Sequence, residues 1–340
     1  MLRHRLPLLV TGVTGVAGLA AFRHLHARHP GQIVGTRPRK TFRLNGPGIV
    51  ELDADDGPGM RRLFDQFGFR AALNGVGNCA LKSCELDPAM ARVVNVESAR
   101  VLIDNSLRHG ARVVHLSSDL VYSGKGDGNH VEADPTDPVT VYGKTMVEAE
   151  RLFAERLPTA AVLRISLPMG PSFNGHAGAI DWIQSRFRAG RPATLYFDEV
   201  RSCTYCDDLS RVFERFLAGD EIGIHHLGGP RAKTLYQIAQ IINRVGDYEP
   251  SLLKGCPRIE AGPMPPRAGN VSMNSDKLIR LFDGEHPFRP WPCAAELHPT
   301  DQAWHALRPD HEPRGLRQIE TRLYGKVLAA NEPSFSRVFH

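Results

Sequence analysis

Two clusters in this sequence have residue types and spacings that could do chemistry. The first, Thr11-Gly12-Val13-Thr14-Gly15-Val16-Ala17-Gly18, carries three glycines at the spacing of a phosphate-cradling turn. Gly12 would permit a tight turn, Gly15 the close approach of a pyrophosphate, and Gly18 close packing of a helix on a strand. Amide groups at the start of that helix would offer donors and a partial positive charge to phosphates. The second cluster is Ser117-Ser118-Asp119-Leu120-Val121-Tyr122-Ser123-Gly124, followed about two dozen residues later by Val141-Tyr142-Gly143-Lys144-Thr145-Met146. A hydroxyl at the end of a strand and a tyrosine opening the next helix could orient and protonate a carbonyl beside a nicotinamide.

Positioning such groups requires a sheet with crossover helices, and the N-terminal half reads that way. Short β-rich runs at 6–10, 32–36, 48–52, 71–75, 112–118 and 160–166 alternate with helical patterns at 16–29, 58–67, 87–109 and 139–157. Near-continuous apolar strands in this order predict an α/β fold, a doubly wound parallel sheet of Rossmann type, over 1–166. After Ser166, a crowd of Pro and Gly residues marks the passage into a smaller α/β substrate-binding domain, 167–300. Helices are expected there at 178–189, 207–217 and 234–246, and a strand at 221–229 that could interleave with the first domain. Residues 301–340, with a helical stretch at 316–330, form a C-terminal extension.

The glycine turn has a strand before it and a helix after it, whose apolar face runs through Leu19, Phe22 and Leu25. Thr11, Gly12, Thr14, Gly15, Val16 and Gly18 are therefore candidate cofactor contacts, with Asn74 at the end of the fourth strand. An NAD site usually has Asp or Glu after the second strand; here that strand is followed by Arg37-Pro38-Arg39-Lys40, and Arg37 and Arg39 would favour a 2′-phosphate. NADP is thus preferred, with NAD as the alternative and an exposed basic loop as the plain structural explanation. Asp53 is placed to meet the adenine edge, or is a solvated turn aspartate.

The 340 residues are 42% hydrophobic and 23% charged, and the formal charge of +5 is scattered rather than gathered into a stripe. That favours a small anionic ligand over nucleic acid. The absence of a long apolar run and of a cleavable signal pattern predicts a soluble, cytoplasmic protein with no membrane span. The pair Cys203 and Cys206 lacks a second CxxC, and His24, His26, His29 and the pair His225-His226 lack accompanying ligands, so no metal site is expected.

Together the glycine pattern, the SSDxVYSG stretch, the Tyr142 helix and Arg201-Ser202-Cys203-Thr204-Tyr205-Cys206-Asp207-Asp208-Leu209 resemble the extended short-chain dehydrogenase/reductases, most closely the dTDP-4-dehydrorhamnose reductase branch. The resemblance implies that Ser118 holds the substrate carbonyl, Tyr142 donates the proton, Asp119 supports the site and Asn95 organises a relay water. It also implies that Ser166 and Arg201 meet the sugar nucleotide, and that the chain could form a homodimer through helices flanking the sheet.

One residue departs from the family pattern. Four residues after the tyrosine the family has a lysine that contacts the nicotinamide ribose and lowers the tyrosine pKa; here it is Met146. Lys144, about 200° around the helix from Tyr142, should point away. A tyrosine near its reference pKa of about 10 is protonated at pH 7, which suits a reductase donating a proton. An enzyme that starts from tyrosinate would find only about one part in a thousand. The expected activity is therefore reduction of a keto-sugar nucleotide. The alternatives are a non-catalytic regulatory subunit like that of methionine adenosyltransferase, or an NAD-dependent epimerase or dehydratase.

Overall fold

The computed structural model describes residues 2–39, 44–294, 297 and 314–325. Its first half alternates β1 Leu8–Thr11, α1 Val16–Arg28, β2 Ile33–Arg37, β3 Ile49–Glu51, α2 Gly57–Phe67 and β4 Ala71–Asn74. Then come α3 Leu81–Leu86, α4 Pro88–Arg92, a π-helical segment Val93–Glu97, α5 Ser98–His109, β5 Arg112–Ser118, α6 Val141–Arg156 and β6 Ala161–Ile165. The expected helix at 87–109 thus contains a π-helical segment, with Asn95 at its centre.

The second half contains β7 Pro168–Met169, α7 Ala179–Arg188, β8 Ala193–Tyr196, β9 Val200–Ser202, β10 Thr204–Tyr205, α8 Cys206–Ala218, β11 Gly223–Leu227, β12 Ala232–Thr234, α9 Leu235–Gly246 and β13 Leu253–Cys256. The shorter α10 Asp276–Arg280 and α11 Leu316–Gln318 complete the described helices.

Seven parallel strands form the central sheet in the order β11-β6-β5-β4-β1-β2-β3. Every strand from β1 to β6 except the edge strand β3 is built almost wholly of buried residues, because helices cover both faces. On one face α1 and α8 bury Leu19, Phe22, Leu25, Val212, Phe213 and Phe216. On the other, α2, α5 and α6 bury Met60, Phe64, Leu102, Ile103 and Phe153.

The order of strands reverses between β1 and β4, and ligands of doubly wound sheets bind in the crevice at that point, outside the carboxyl ends of the strands. α8 and β11 lie on this central layer although they follow β7 to β10 in the chain, so residues 206–227 pack with the dinucleotide half and the chain crosses between the lobes more than once. A separate core of α7, α9 and their strands buries Ile183, Phe187, Ile241 and Trp291, together with Ile319 and Leu323 from near the C-terminus. Of the expected extension 301–340, only 314–325 is among the described residues, so 326–330 of the predicted helix lies outside them. No helix among the described residues is long and apolar enough to cross a membrane.

Candidate active site

Gly12 sits in the left-handed region at φ +71°, and a Cβ there would meet the Gly75 carbonyl oxygen at 2.3 Å. Only glycine lets the β1 and β4 ends close this tightly at the switch point. A Cβ on Gly18 would meet the Gly12 carbonyl oxygen at 2.3 Å, so the helix start folds back onto the same turn. Gly15 is different. It is exposed, its Cβ direction is open apart from the Gly12 oxygen at 3.5 Å, and it caps α1 without a side-chain hydrogen bond. The first-turn amides of α1 are thus left for a ligand, which is the fit a diphosphate requires.

Thr11 and Asn74 do not line that cradle. Thr11 Oγ1 donates to Asn74 Oδ1 at 2.7 Å, and Asn74 Nδ2 lies 3.0 Å from His115 Nδ1, all three side chains being buried. They brace the strand ends beneath the turn.

Beyond β2, Arg37 is also a brace: its buried guanidinium donates to the Leu44 and Pro38 carbonyls and Asn45, and pairs with Glu51. Arg39 is exposed and bonds Asp56 at 2.8 Å, while its backbone N–H donates to Asp53 at 3.0 Å. Of the two cations expected near a 2′-phosphate, Arg39 is the one that can turn toward a ligand. Lys40 lies outside the described residues.

Ser118 ends β5 and accepts the Leu120 N–H at 3.1 Å, which turns the chain into a single helical turn at 119–121. α6 starts at a Thr140 cap whose Oγ1 accepts from the Gly143 N–H at 2.9 Å. A Cβ on Gly143 would lie 2.2 Å from the Leu120 carbonyl oxygen, so glycine lets α6 seat directly on that turn and brings Tyr142 to Ser118. Ser118 Oγ donates to Asp119 Oδ1 at 3.2 Å, and the Tyr142 phenol stands beside it. Burial holds the Tyr142 phenol well above the usual tyrosine range, and the Cys79 and Asp119 side chains act in the same direction. Ser118 and Arg201 oppose this without overcoming it.

Asn95 links the loop after β4 to α6. Its Oδ1 accepts the Asn78 N–H at 2.8 Å, and its Nδ2 donates to Thr145 Oγ1 at 2.8 Å, which in turn donates to the Tyr142 carbonyl at 2.8 Å. Met146 is 1% exposed and packs with Cys84, Ala91, Leu120, Tyr142 and Val271. Lys144 is exposed. Neither residue supplies an ammonium beside the phenol.

The sequence reading sends Ser166 and Arg201 to the substrate, but both converge on Asp119. Arg201 donates from Nε and Nη2 to the two Asp119 oxygens at 2.7 and 2.6 Å, and Ser166 Oγ donates to Oδ2 at 2.6 Å. A fully buried carboxylate needs such partners. Asp119 therefore anchors the second lobe to the strand that carries Ser118. Three residues of this assembly had no sequence signal. Cys79 stands near Tyr142 and Arg201. The buried carboxylate Glu199 bonds Arg267 at 2.8 Å and comes within 3.8 Å of Arg201.

Two of the three histidines in or just after α1 do meet a carboxylate, from α8: Glu214 Oε2 is 2.8 Å from His24 Nε2, and His29 Nε2 is 4.0 Å from Oε1. No group of three His, Cys, Asp or Glu among the described residues is arranged to hold a metal ion. Cys203 and Cys206 are buried free thiols.

The family model described as RmlD substrate binding domain matches residues 6–296. The dTDP-4-dehydrorhamnose reductase of Aggregatibacter actinomycetemcomitans is 26% identical over 198 residues, 56% of this chain and 65% of that relative's length. Methionine adenosyltransferase 2 subunit beta of Xenopus tropicalis is 25% identical over 291 residues, 83% of this chain and 84% of the relative. Among solved structures, dTDP-4-dehydrorhamnose reductase from Bacillus anthracis str. Ames in complex with NADP superposes with a TM-score of 0.71 at 17% identity, covering 84% of this chain and 95% of that one. At that identity the likeness shows the fold, a Rossmann-type α/β layer with a second lobe. With a family model spanning most of the sequence, the chain belongs to the RmlD substrate binding domain family, on the extended short-chain dehydrogenase/reductase fold.

Proposed function

We propose that this protein is an NADP(H)-dependent reductase of a keto-sugar nucleotide. The observation that carries this reading is the buried Tyr142 phenol, set beside Ser118 and held protonated at the open end of the sheet. Bound over the Gly15 cradle, NADPH would supply the hydride. Ser118 holds the carbonyl oxygen, and Tyr142 gives that oxygen its proton as the carbonyl becomes an alcohol. Asn95, tied through Thr145 to the Tyr142 backbone, would organise the water that reprotonates the phenol. Arg39 would take the 2′-phosphate. The names of the reductase relatives support the substrate class.

Met146 fits the direction of the reaction. Without a lysine beside it, and with burial raising its pKa further, the phenol is a poor base and a ready acid, so reduction is favoured over reactions that begin by removing a hydroxyl proton. The same methionine favours a second reading, a binding subunit without turnover, as the likeness to the methionine adenosyltransferase subunit suggests.

NADPH fluorescence titration followed by turnover of dTDP-4-keto sugars decides between them. The reductase reading predicts NADPH binding and turnover, with kcat reduced about 100- to 10,000-fold in Tyr142→Phe while NADPH affinity is kept. Met146→Lys should move the alkaline limb of the pH–rate profile to lower pH. NADPH binding without turnover in both the natural protein and Met146→Lys would establish the subunit reading instead.

A further inference from the structure

Arg201 was the cation expected to meet the substrate, and its guanidinium is taken up by Asp119. A second cation stands beside it. β12 pairs antiparallel with β9 in a register that sets Lys233 directly opposite Arg201, so the two side chains leave the same face of the ladder. Arg201 directs that face toward Asp119 and Tyr142. Cys203 shares it, feeling the charges of Arg201, Lys233 and Asp119 together.

The charges on this wall pair off until one is left over. Asp119 is matched by Arg201, and Glu199 by Arg267 at 2.7 Å. Lys233 is 9% exposed and makes no hydrogen bond or ion pair among the described residues. Its charged neighbours are Cys203, a thiol pushed up to about 12 by burial and so neutral, and Arg231, a like charge. Burial lowers its own pKa. Its stem is buried while its Nζ keeps contact with solvent, so the ammonium is within reach of a ligand and has no counter-charge of its own, and an incoming anion would neutralise it.

We propose that Lys233 is a substrate-binding residue that takes an anionic oxygen group of the substrate, phosphate or carboxylate, at the second lobe's side of the cleft. This rests on the reductase reading, and names the feature by which such a substrate is held next to Tyr142. The group could be the diphosphate of the nucleotide or a carboxylate on the sugar, and the probes are chosen to separate the two.

The test is calorimetric titration of the full-length, NADPH-loaded protein with dTDP, UDP, UDP-glucose and UDP-glucuronate, for the natural chain, Lys233→Met and Lys233→Arg. If the group is the diphosphate, Lys233→Met should weaken all four on the order of 10- to 100-fold and Lys233→Arg should restore most of the loss. If it is a sugar carboxylate, only UDP-glucuronate should weaken. In the native protein, acetic anhydride labelling read by peptide mass should show Lys233 protected by the tightest of these probes, a measurement that does not depend on a variant folding. Equal affinities in the natural chain and Lys233→Met, no binding of any probe, or unchanged labelling would each overturn the proposal. Failure to bind NADPH, by contrast, would overturn the reductase reading and is seen in a separate titration.

Discussion

Arg164 grips Glu150 and Arg201 grips Asp119 with the same two-pronged geometry, and all four side chains are buried. Their surroundings differ. Around the first pair the protein supplies every remaining partner: Ser117 donates to Glu150, Arg164 Nη1 donates to the Tyr122 hydroxyl at 2.6 Å, and that hydroxyl lies 3.0 Å from His226 Nε2. His226 Nδ1 faces the His130 carbonyl at 3.0 Å and so carries the ring proton, leaving Nε2 as an acceptor. Around the second pair, Ser118 is spent on Asp119 Oδ1 at 3.2 Å, but two groups have no hydrogen-bond partner among the described residues, the Tyr142 phenol and Lys233. A buried charge pair is by itself no sign of chemistry. What distinguishes the site is the pair of groups left without a partner once the ion pair is complete.

If that distinction holds, the largest effect on stability comes from breaking the closed pair. Glu150→Ala should cost about 3–5 kcal/mol in urea unfolding, because it strands the Arg164 charge. Any molecules that remain folded should still bind NADPH with the natural affinity, and a matching loss of affinity would erase the contrast. Asp119→Asn keeps the shape but sets an amide N–H2 against one guanidinium donor and leaves the Arg201 charge uncompensated, so it should cost about 2–3 kcal/mol of stability while lowering kcat by more than that loss explains. Turnover close to natural would reduce Asp119 to a brace like Glu150.

The smallest effect is a pH dependence confined to the closed pair. Burial lowers the His226 pKa to about 4 from an ordinary 6.5. As pH falls below 6.5 the unfolded chain takes up the proton first, so the stability present above 6.5 is lost progressively toward pH 4. His226→Gln can keep both hydrogen bonds without titrating. Urea midpoints at pH 7 and pH 5 should therefore lie closer together in this variant than in the natural protein, and an unchanged gap would remove His226 from the account.

How much of this was legible in the sequence follows from how local each constraint is. The glycine turn could be read because φ at Gly12 and the space beside Gly18 are properties of a few consecutive residues. The Ser118 to Tyr142 relation could be read because a strand end and a helix start, each with its own cap, fix both ends of the segment. Arg201 could be found but not its partner, since the Asp119 contact depends on how the second lobe docks. Lys233 and Cys79 were invisible for the same reason: strand register across β9 and β12, and the course of the loop after β4, bring them to the site from far along the chain. Arg37 misled because basic residues after β2 look alike in sequence whether they serve a phosphate or, as here, bind Glu51 and neighbouring carbonyls.

That β11 completes the central sheet only after a first passage through the second lobe bears on how the polypeptide is made. When Ile165 leaves the ribosome, β6 is an unpaired edge, and its partner ends at Leu227, about sixty residues later. At translation rates of about 5–20 residues per second, that edge stays open for several seconds. During synthesis the nascent chain is therefore most open to mispairing with another strand in this interval, and a pause there would lengthen the exposure.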